Sequence, residues 1–373
     1  MDKIQMVDLK TQYQKIEKQV DTAIKEVITT SNFINGKAVK EFASDLENYL
    51  GVKHVIPCGN GTDALQIALM AFELKPGDEI ITSTFTFIAT AEVIALLGLT
   101  PVFVDVDSNN FNISTEEIKK KITKKTKVIL PVHLYGQCAP MEEILEIAKE
   151  NNLYVIEDTA QAIGSNFIFK DGSKKAAGTI GDIGTTSFFP SKNLGCYGDG
   201  GAVFTNNSEL AEKIKMITNH GSKIKYHHEV VGVNSRLDSI QAAILKIKLP
   251  LLNEYCNSRK KAAKQYSDGL SGLNWIKTPV IENYSEHVFH QYTLQITNGK
   301  RDELKAYLES KNISSMIYYP IPLHKQKAFS EYSTLDDFLV TDLLESNVLS
   351  LPMHTELSEE TVNYIIKTIK EFK

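Results

Sequence analysis

The sequence predicts an α/β fold built around a mainly parallel sheet. Short apolar runs such as HVIPC (54–58) and PVFVDV (101–106) alternate with longer segments of helical spacing. A further run, LYVIED (153–158), ends on acidic residues at the point where a strand of such a sheet meets a ligand. Strands that alternate with helices form layered α/β folds, and 373 residues suffice for a large core and two domains.

The elements of the first part of the chain follow in a regular order. Residues 12–29 have the apolar spacing of an amphipathic helix, and residues 39–50 predict a second helix after a loop. Further strands are predicted at 54–58, 78–83, 101–106, 127–134, 153–158, 181–189 and 201–206, with helices at 60–72, 89–97 and 141–152 between them.

The pattern changes after about residue 245. Residues 245–263 predict one long helix, with a kink or restart at Pro250. The remainder mixes two short strands, QYTLQI and SSMIYY, with two helices, RDELKAYLESK and LSEETVNYIIKTIKEF. The sequence therefore predicts a large domain at 1–245 and a smaller α+β domain at 246–373.

Composition and charge exclude several classes of protein. Hydrophobic residues make up 42% and charged residues 23% of the chain, which is typical of globular proteins and not of disordered ones. The net charge of −5 argues against nucleic acid or an anionic membrane as the main partner. The basic run KKKITKKTK is interpreted as a solvated helix end and loop.

The four cysteines predict neither a zinc site nor a disulfide framework, because they are far apart and lack C-x-x-C spacing. No metal is expected. The N-terminus has no apolar signal core, and no apolar run approaches the roughly 20 residues that span a bilayer. A cytoplasmic protein is expected.

An anion site is predicted where the first strand meets its helix, at CGNGTDA (58–64). Gly61 permits a tight turn, Thr62 can add a hydroxyl, and the helix N-terminus offers free N–H groups to an anion. The alternative is a plain Asn-Gly turn with Thr62 as the helix cap.

Asp158 and Lys192 are the candidate chemical groups. Asp158 ends an apolar strand and can face a ligand, or it can cap the next helix. Lys192 follows a strand within TSFFPSKNLG, where aromatic and hydroxyl residues can desolvate its amine. Desolvation lowers the pKa of a lysine and makes the neutral amine available for a Schiff base. The glycines after Lys192, in GCYGDGGA, are interpreted as structural because no Lys-Ser/Thr pair follows them.

Taken in order, these segments resemble the DegT/DnrJ/EryC1/StrS family of sugar aminotransferases over nearly the whole chain. The strongest block is FFPSKNLGCYGDGGAVFTN, supported by CGNGTDAL, TFTFIATAE, LYGQ, IEDTAQAIGS, VGVNSRLDSIQAAIL and YYPIPLHKQ. The resemblance implies the fold-type-I architecture of pyridoxal 5'-phosphate (PLP) enzymes. It implies a seven-stranded, mostly parallel sheet in a large domain, a smaller C-terminal domain, and a homodimer with shared active sites.

The resemblance also implies roles for individual residues. Lys192 matches the Schiff-base lysine, and Asp158 matches the acid that pairs with the pyridine nitrogen and so keeps the ring an electron sink. The other implied cofactor contacts are Gly61, Thr62 and Ser187 at the phosphate, Phe87 on the ring face, Gln161 near the ring hydroxyl, and Asn234 reaching the phosphate from the partner subunit.

A retained Lys192 implies transamination, because relatives that dehydrate sugars have histidine there. The implied reaction moves an amino group from L-glutamate to a nucleotide-linked 3-keto sugar for surface polysaccharide. UDP-2-acetamido-3-keto-glucuronate is the favoured substrate. The alternatives are a dTDP-3-keto-6-deoxyhexose, a 4-keto sugar, a non-catalytic PLP-binding regulator, and a nucleotide-binding protein without PLP.

Four residues bear on the identity of the sugar. Arg236 matches a position that can pair with a uronate carboxylate, but a structural role is equally compatible with its motif. Tyr318 and Tyr319 precede a proline, and Tyr318 stands where many relatives have histidine. His324 can contact sugar or diphosphate, or lie in a solvated loop.

Overall fold

The coordinates, a computed structural model, describe residues 3–332 and 337–372. Within these ranges the helices are α1 (Leu9–Thr30), α2 (Lys37–Leu50), α3 (Gly61–Ala71), α4 (Ala89–Leu96), α5 (Thr115–Lys121), α6 (Met141–Asn151), α7 (Ser208–Thr218), α8 (Ser239–Lys248), α9 (Leu252–Leu270), α10 (Arg301–Ser310), α11 (Leu339–Asn347) and α12 (Glu359–Glu371). The strands are β1 (His54–Cys58), β2 (Glu79–Ser83), β3 (Thr100–Val104), β4 (Thr126–Leu130), β5 (Tyr154–Asp158), β6 (Asn166–Ile168), β7 (Lys174–Ala176), β8 (Ile183–Ser187), β9 (Gly201–Thr205), β10 (Ser222–Ile224), β11 (His227–His228), β12 (Ile276–Lys277), β13 (Tyr292–Ile296) and β14 (Val348–Leu351).

A seven-stranded sheet in the order β1-β9-β8-β5-β4-β2-β3 forms the centre of the structure. The neighbours from β8 to β3 pair in parallel, and β9 pairs antiparallel with both β1 and β8. The predicted mostly parallel α/β sheet is therefore confirmed. The chain reverses between β8 and β9 through the glycine-rich loop that carries Lys192.

The sheet is buried on both faces. Successive strand residues point to opposite sides, so neighbouring residues enter different cores. Ile80 and Ile156 pack into the core beneath α3, α4 and α7. Their neighbours Ile81 and Val155 pack into a second core with α6. This double burial explains why the strands appear in the sequence as continuous apolar runs.

The turn into α3 is set by Asn60, whose Oδ1 accepts a hydrogen bond from the backbone N–H of Asp63 at 2.8 Å. The alternative in which Thr62 caps this helix is therefore wrong. Because Asn60 is the cap, Thr62 lies in the first turn, where its backbone and side chain are available at the end of β1.

The C-terminal part has its own antiparallel sheet, β12-β13-β14, with a separate apolar core. The predicted interruption at Pro250 is confirmed, but the helix bounds differ: α8 begins at Ser239, and a 3-10 turn (Leu249–Leu251) separates it from α9. The predicted strand SSMIYY is wrong, since only Met316 bridges to Ser350. The domain boundary at 245/246 falls inside α8 and stays a prediction.

Two short hairpins, β6–β7 and β10–β11, were not predicted. All four cysteines are buried and free. No helix among the described residues combines the length and apolar character needed to cross a bilayer. In the same ranges, no group of three or more His, Cys, Asp or Glu residues is arranged to hold a metal ion.

Candidate active site

A cavity of about 630 Å³ opens where several sheet strands end. Residues that follow the carboxyl ends of β1, β2, β5 and β8 form one wall, as expected for the ligand edge of an open parallel sheet. The opposite wall comes from the C-terminal part. Of the predicted site residues, the cavity brings together Gly61, Thr62, Phe87, Asp158, Gln161, Ser187, Lys192, Tyr318 and Tyr319.

Lys192 and Asp158 form the electrostatic centre of the cavity. Burial lowers the pKa of Lys192 to about 8, and the nearby Asp158 carboxylate opposes that shift. Burial also raises the pKa of Asp158, while the Ala160 N–H, the charge of Lys192 and the Thr90 hydroxyl act against it. The two groups therefore share one water-poor environment in which each stabilises the charged form of the other.

Donors from two directions hold the Asp158 carboxylate in place. Its Oδ1 accepts the backbone N–H of Ala160 at 3.0 Å, and its Oδ2 accepts the hydroxyl of Thr90 at 3.1 Å. Thr90 lies in the first turn of α4 and is itself buried. Two bonded oxygens fix the plane of the carboxylate toward the cavity.

The neighbouring Glu157 anchors the end of the same strand, β5, through a buried hydrogen-bond network. Its two oxygens accept the backbone N–H groups of Gly178, Ile180 and Gly181 at 2.7–2.9 Å, and His133 Nε2 lies 2.9 Å away. Glu157 is fully buried, so this network fixes the end of β5 rather than facing a ligand.

Gly61 and Ser187 form a narrow anion cradle at the N-terminus of α3. A Cβ atom added to Gly61 would lie 2.6 Å from Cβ of Ser187, so only glycine allows β8 to approach the helix this closely. Ser187 and Thr62 both line the cavity there. Hydroxyls and free helix N–H groups together suit a phosphate.

Aromatic side chains surround the rest of the opening. Phe87 is 54% exposed although it lines a cavity, so its ring face is available to a flat ligand. Two hydrogen bonds fix the side-chain amide of Gln161. Its Nε2 donates to the Tyr319 hydroxyl at 3.0 Å, and its Oε1 accepts the backbone N–H of Tyr135 at 2.7 Å. The Tyr135 hydroxyl donates to the backbone carbonyl of Tyr318.

Three predicted site residues lie outside this cavity. Asn234 is exposed, and Arg236 is half-buried with its Nη1 donating to Asn219 Oδ1 at 3.3 Å. His324 bonds through Nδ1 to the Thr84 hydroxyl at 2.8 Å, and its ring stacks on Phe338 at 4.4 Å. His324 is therefore held by packing and does not line the cavity, and its contact with substrate stays a prediction.

The cavity also contains residues that the sequence did not single out, chiefly His290 and Gln291. They immediately precede β13, which was predicted only as a strand of the small domain. The signal available in the sequence was the histidine of VFHQY, and nothing in its local pattern connects it to Lys192, almost a hundred residues earlier.

Comparisons with known proteins agree with this geometry. The model of the DegT/DnrJ/EryC1/StrS aminotransferase family matches residues 14–370. The chain is 46% identical to a "pleiotropic regulatory protein" of Geobacillus stearothermophilus, over 99% of this chain and 98% of that one. It is 44% identical to a UDP-N-acetyl-3-dehydro-α-D-glucosamine 3-aminotransferase of Acidithiobacillus ferrooxidans, over 98% and 97% of the two chains. It is 43% identical to a UDP-2-acetamido-2-deoxy-3-oxo-D-glucuronate aminotransferase of Pseudomonas aeruginosa, over 97% and 98%.

Solved structures give the same result. An aminotransferase of this kind from Brucella abortus superimposes with a TM-score of 0.92 at 41% identity, covering 98% of both chains. DesV from S. venezuelae superimposes with a TM-score of 0.95 at 34% identity, covering 100% of this chain and 98% of its own. NtdA from Bacillus subtilis, solved with bound pyridoxamine phosphate, has a TM-score of 0.88 at 31% identity over 95% and 81% of the chains.

Proposed function

Because the chain belongs to the DegT/DnrJ/EryC1/StrS aminotransferase family, we propose that it transfers an amino group from L-glutamate to the 3-keto group of a nucleotide-linked sugar. The observation that carries this proposal is the pairing of a half-buried lysine of lowered pKa, Lys192, with the buried Asp158 in one cavity. The favoured sugar is UDP-2-acetamido-3-keto-glucuronate, and the amino sugar formed would supply surface polysaccharide.

The residues of the cavity fit pyridoxal phosphate, the cofactor of this family. The Gly61–Ser187 cradle is too narrow for a Cβ and lies at a helix N-terminus, which suits the phosphate group. The exposed face of Phe87 suits a flat ring, and Asp158 suits a protonated ring nitrogen. Thr62 and Gln161 both line the cavity, and we expect them to contact the phosphate and the ring hydroxyl, respectively. When bound, the cofactor supplies a carbonyl that condenses with amines and a ring that accepts the electron pair left by proton removal.

Lys192 is the proposed base and the proposed attachment point. With a pKa of about 8, its neutral fraction at pH 7 is about 300-fold larger than for a lysine of pKa 10.5. With the cofactor bound, the neutral Lys192 amine would take a proton from the Cα of the amino acid. It would return that proton to the cofactor carbon that carried the carbonyl. Asp158 would hold the proton on the ring nitrogen, because its two bound donors stabilise the carboxylate as an anion.

The second subunit is proposed to complete the site. Asn234 is exposed and does not line the cavity of its own chain, as required of a residue that reaches a partner's phosphate. The hairpin β10–β11 and the segment after it expose large apolar side chains: Ile224 is 66%, Tyr226 81% and Val231 87% exposed. Such a surface favours burial against another chain, here a second copy.

Mixing two inactive variants tests this arrangement. Lys192→Ala and Asn234→Ala each damage a different half of a shared site, so a mixed dimer keeps one intact site. Random mixing should restore about a quarter of the wild-type activity. No recovery on mixing, despite proven subunit exchange, would contradict shared sites.

The central assignment is tested by trapping the cofactor. The purified yellow protein is reduced with borohydride, and peptide mass spectrometry should then find the modification on Lys192. Lys192→Ala should abolish the colour due to this linkage and also the half-reaction with glutamate. Label on a different lysine would overturn the mechanism.

The sugar is tested with a panel of keto sugars, UDP- and dTDP-linked, with and without a C6 carboxylate. The two aminotransferase relatives above act on sugars that differ at C6, so identity does not decide between them. If Arg236 pairs with the carboxylate, Arg236→Ala should reduce kcat/KM for the uronate about 10- to 100-fold and spare the uncharged sugar. Equal losses on both would assign Arg236 a structural role.

A second candidate is a PLP-binding regulator, which the name of the Geobacillus relative favours. A regulator needs neither a base of lowered pKa nor a carboxylate held by two donors. A purified protein that binds cofactor but does not react with L-glutamate would favour regulation, and a stoichiometric half-reaction would favour the enzyme.

A further inference from the structure

His290 lines the same cavity as Lys192, from the wall formed by the C-terminal part. Its side chain is only 6% exposed, and its Nδ1 atom is buried without a hydrogen-bond partner among the described residues. Buried polar atoms in proteins nearly always have partners. An unpaired imidazole nitrogen beside a reactive lysine therefore indicates a functional position rather than packing alone.

The guanidinium of Arg259 lies against His290. Its Nη1 donates to the backbone carbonyl oxygens of Phe289 and His290, both at 3.3 Å, and of Met353 at 2.8 Å. Arg259 is 4% exposed, and its Nε atom is a second buried group without a partner in the described ranges. A guanidinium carries only donors, whereas an unprotonated imidazole nitrogen is an acceptor. No direct hydrogen bond joins the two unpaired atoms, so they are complementary only through one bound water.

This arrangement determines where the imidazole carries its proton. Through such a water, a donor-only cation that acts electrostatically on the ring favours a lone pair on Nδ1 and places the proton on Nε2. Burial, followed by the charges of Lys192 and Arg259, holds the pKa of His290 well below its usual range. The ring is therefore neutral, with a single N–H on Nε2.

We propose that His290 binds a carboxylate oxygen of the amino-acid co-substrate through Nε2–H, and that Arg259 fixes the tautomer that allows it. The inference rests on the proposed function, because it assigns a contact to the amino donor of that reaction. Residues of the opposite wall would contact the cofactor, so the wall of His290 faces the substrates. Among the described residues that line the cavity, Lys192 is the sole lysine or arginine, and the reaction occupies it. A neutral N–H donor to a carboxylate makes a charge-assisted bond without adding a second cation beside Lys192.

Two variants of His290 separate the hydrogen bond from the packing. His290→Leu keeps a similar volume and removes both nitrogens, whereas His290→Gln keeps an N–H donor near the position of Nε2. For the half-reaction of the cofactor-loaded enzyme with L-glutamate, we expect His290→Leu to raise KM about 10- to 100-fold and His290→Gln to stay within about fivefold of wild type. Reaction with propylamine, which has no carboxylate, should be equal in wild type and His290→Leu.

An equal loss with glutamate and propylamine would overturn the proposal, because His290 would then act on Lys192 or on folding. Retained cofactor colour and borohydride labelling of Lys192 in His290→Leu show that the variant folds. Binding of succinate, followed by cofactor absorbance, keeps the inference separate from the proposed function. Weaker succinate binding to His290→Leu supports it even if glutamate proves inert, and unchanged binding refutes it.

The tautomer has its own measurement. In holoenzyme labelled with ¹⁵N-histidine, the resonances lost in His290→Leu should report a protonated Nε2 and an unprotonated Nδ1. The opposite tautomer would exclude the role assigned to Arg259.

Discussion

Lys248 provides a quantitative test of how burial controls the loop that carries Lys192. Its side chain is 1% exposed, its Nζ donates to the carbonyl of Gly195 at 2.5 Å, and the amine lies 4.9 Å from the centre of the Tyr197 ring. The bond to Gly195 connects α8 to the turn three residues after Lys192. Burial lowers the pKa of Lys248 to about 8, and the nearby Cys196 opposes the shift.

The lowered pKa predicts the direction in which stability depends on pH. Below pH 8 Lys248 is charged in both the folded and the unfolded chain, and the folded state bears the full desolvation cost. Between pH 8 and 10.5 the folded state releases the proton while the unfolded chain keeps it, so this group adds stability as pH rises. The whole difference corresponds to about 3 kcal/mol, of which about 2 kcal/mol has appeared by pH 9.5.

The change to make is Lys248→Met, which keeps the length of the side chain and removes the titrating amine. The free energy of unfolding of both proteins is measured by urea denaturation of the holoenzyme. Wild-type stability minus variant stability should rise by about 2 kcal/mol from pH 7 to pH 9.5. Other buried groups titrate equally in both proteins and cancel. A difference constant to within about 0.5 kcal/mol would refute the desolvation argument.

Two further predictions concern stability and cofactor binding. Gly61→Ala places a methyl group 2.6 Å from Cβ of Ser187 and should weaken cofactor affinity at least about tenfold, measured by absorbance titration, with stability of the apo protein lowered by about 1–3 kcal/mol. Asp105→Ala removes the carboxylate that accepts hydrogen bonds from the N–H groups of Val340 and Thr341 and from the Thr341 hydroxyl, at 2.6–2.9 Å. This change should lower the free energy of unfolding by about 2–4 kcal/mol in urea melts. Asp107→Ala, at an exposed turn nearby, is the milder control.

Much of the fold could be predicted from local pattern. The strands of the central sheet are buried on both faces, so each is a continuous apolar run, and the amphipathic helices repeat at helical spacing. The strand SSMIYY failed because alternation and aromatic content do not report whether a neighbouring strand is available. Met316 makes one bridge to β14, after which the chain leaves the sheet and forms the cavity wall at Tyr318 and Tyr319.

The site was partly predictable for the same reason. Asp158 ends a strand, and Gly61 and Lys192 lie in the segments that follow strand ends. Parallel strands bring their carboxyl ends to one edge of the sheet. Contacts across long sequence separations were not predictable. Gln161 meets Tyr319 from 158 residues away, and Thr84 meets His324 from 240 residues away. Such pairings depend on how the two parts of the chain pack, and local periodicity contains no information about that.

The sequence by itself determined the α/β class, the family and the identity of Lys192 as a lysine, because these depend on residue types and short-range order. Only the tertiary structure decided that Lys192 and Asp158 share one buried cavity, which sets their pKa values. It also decided that His290 belongs to that cavity and that His324 does not line it. The physical reason is that desolvation and hydrogen bonding depend on what surrounds a group in space, and those neighbours come from distant parts of the chain.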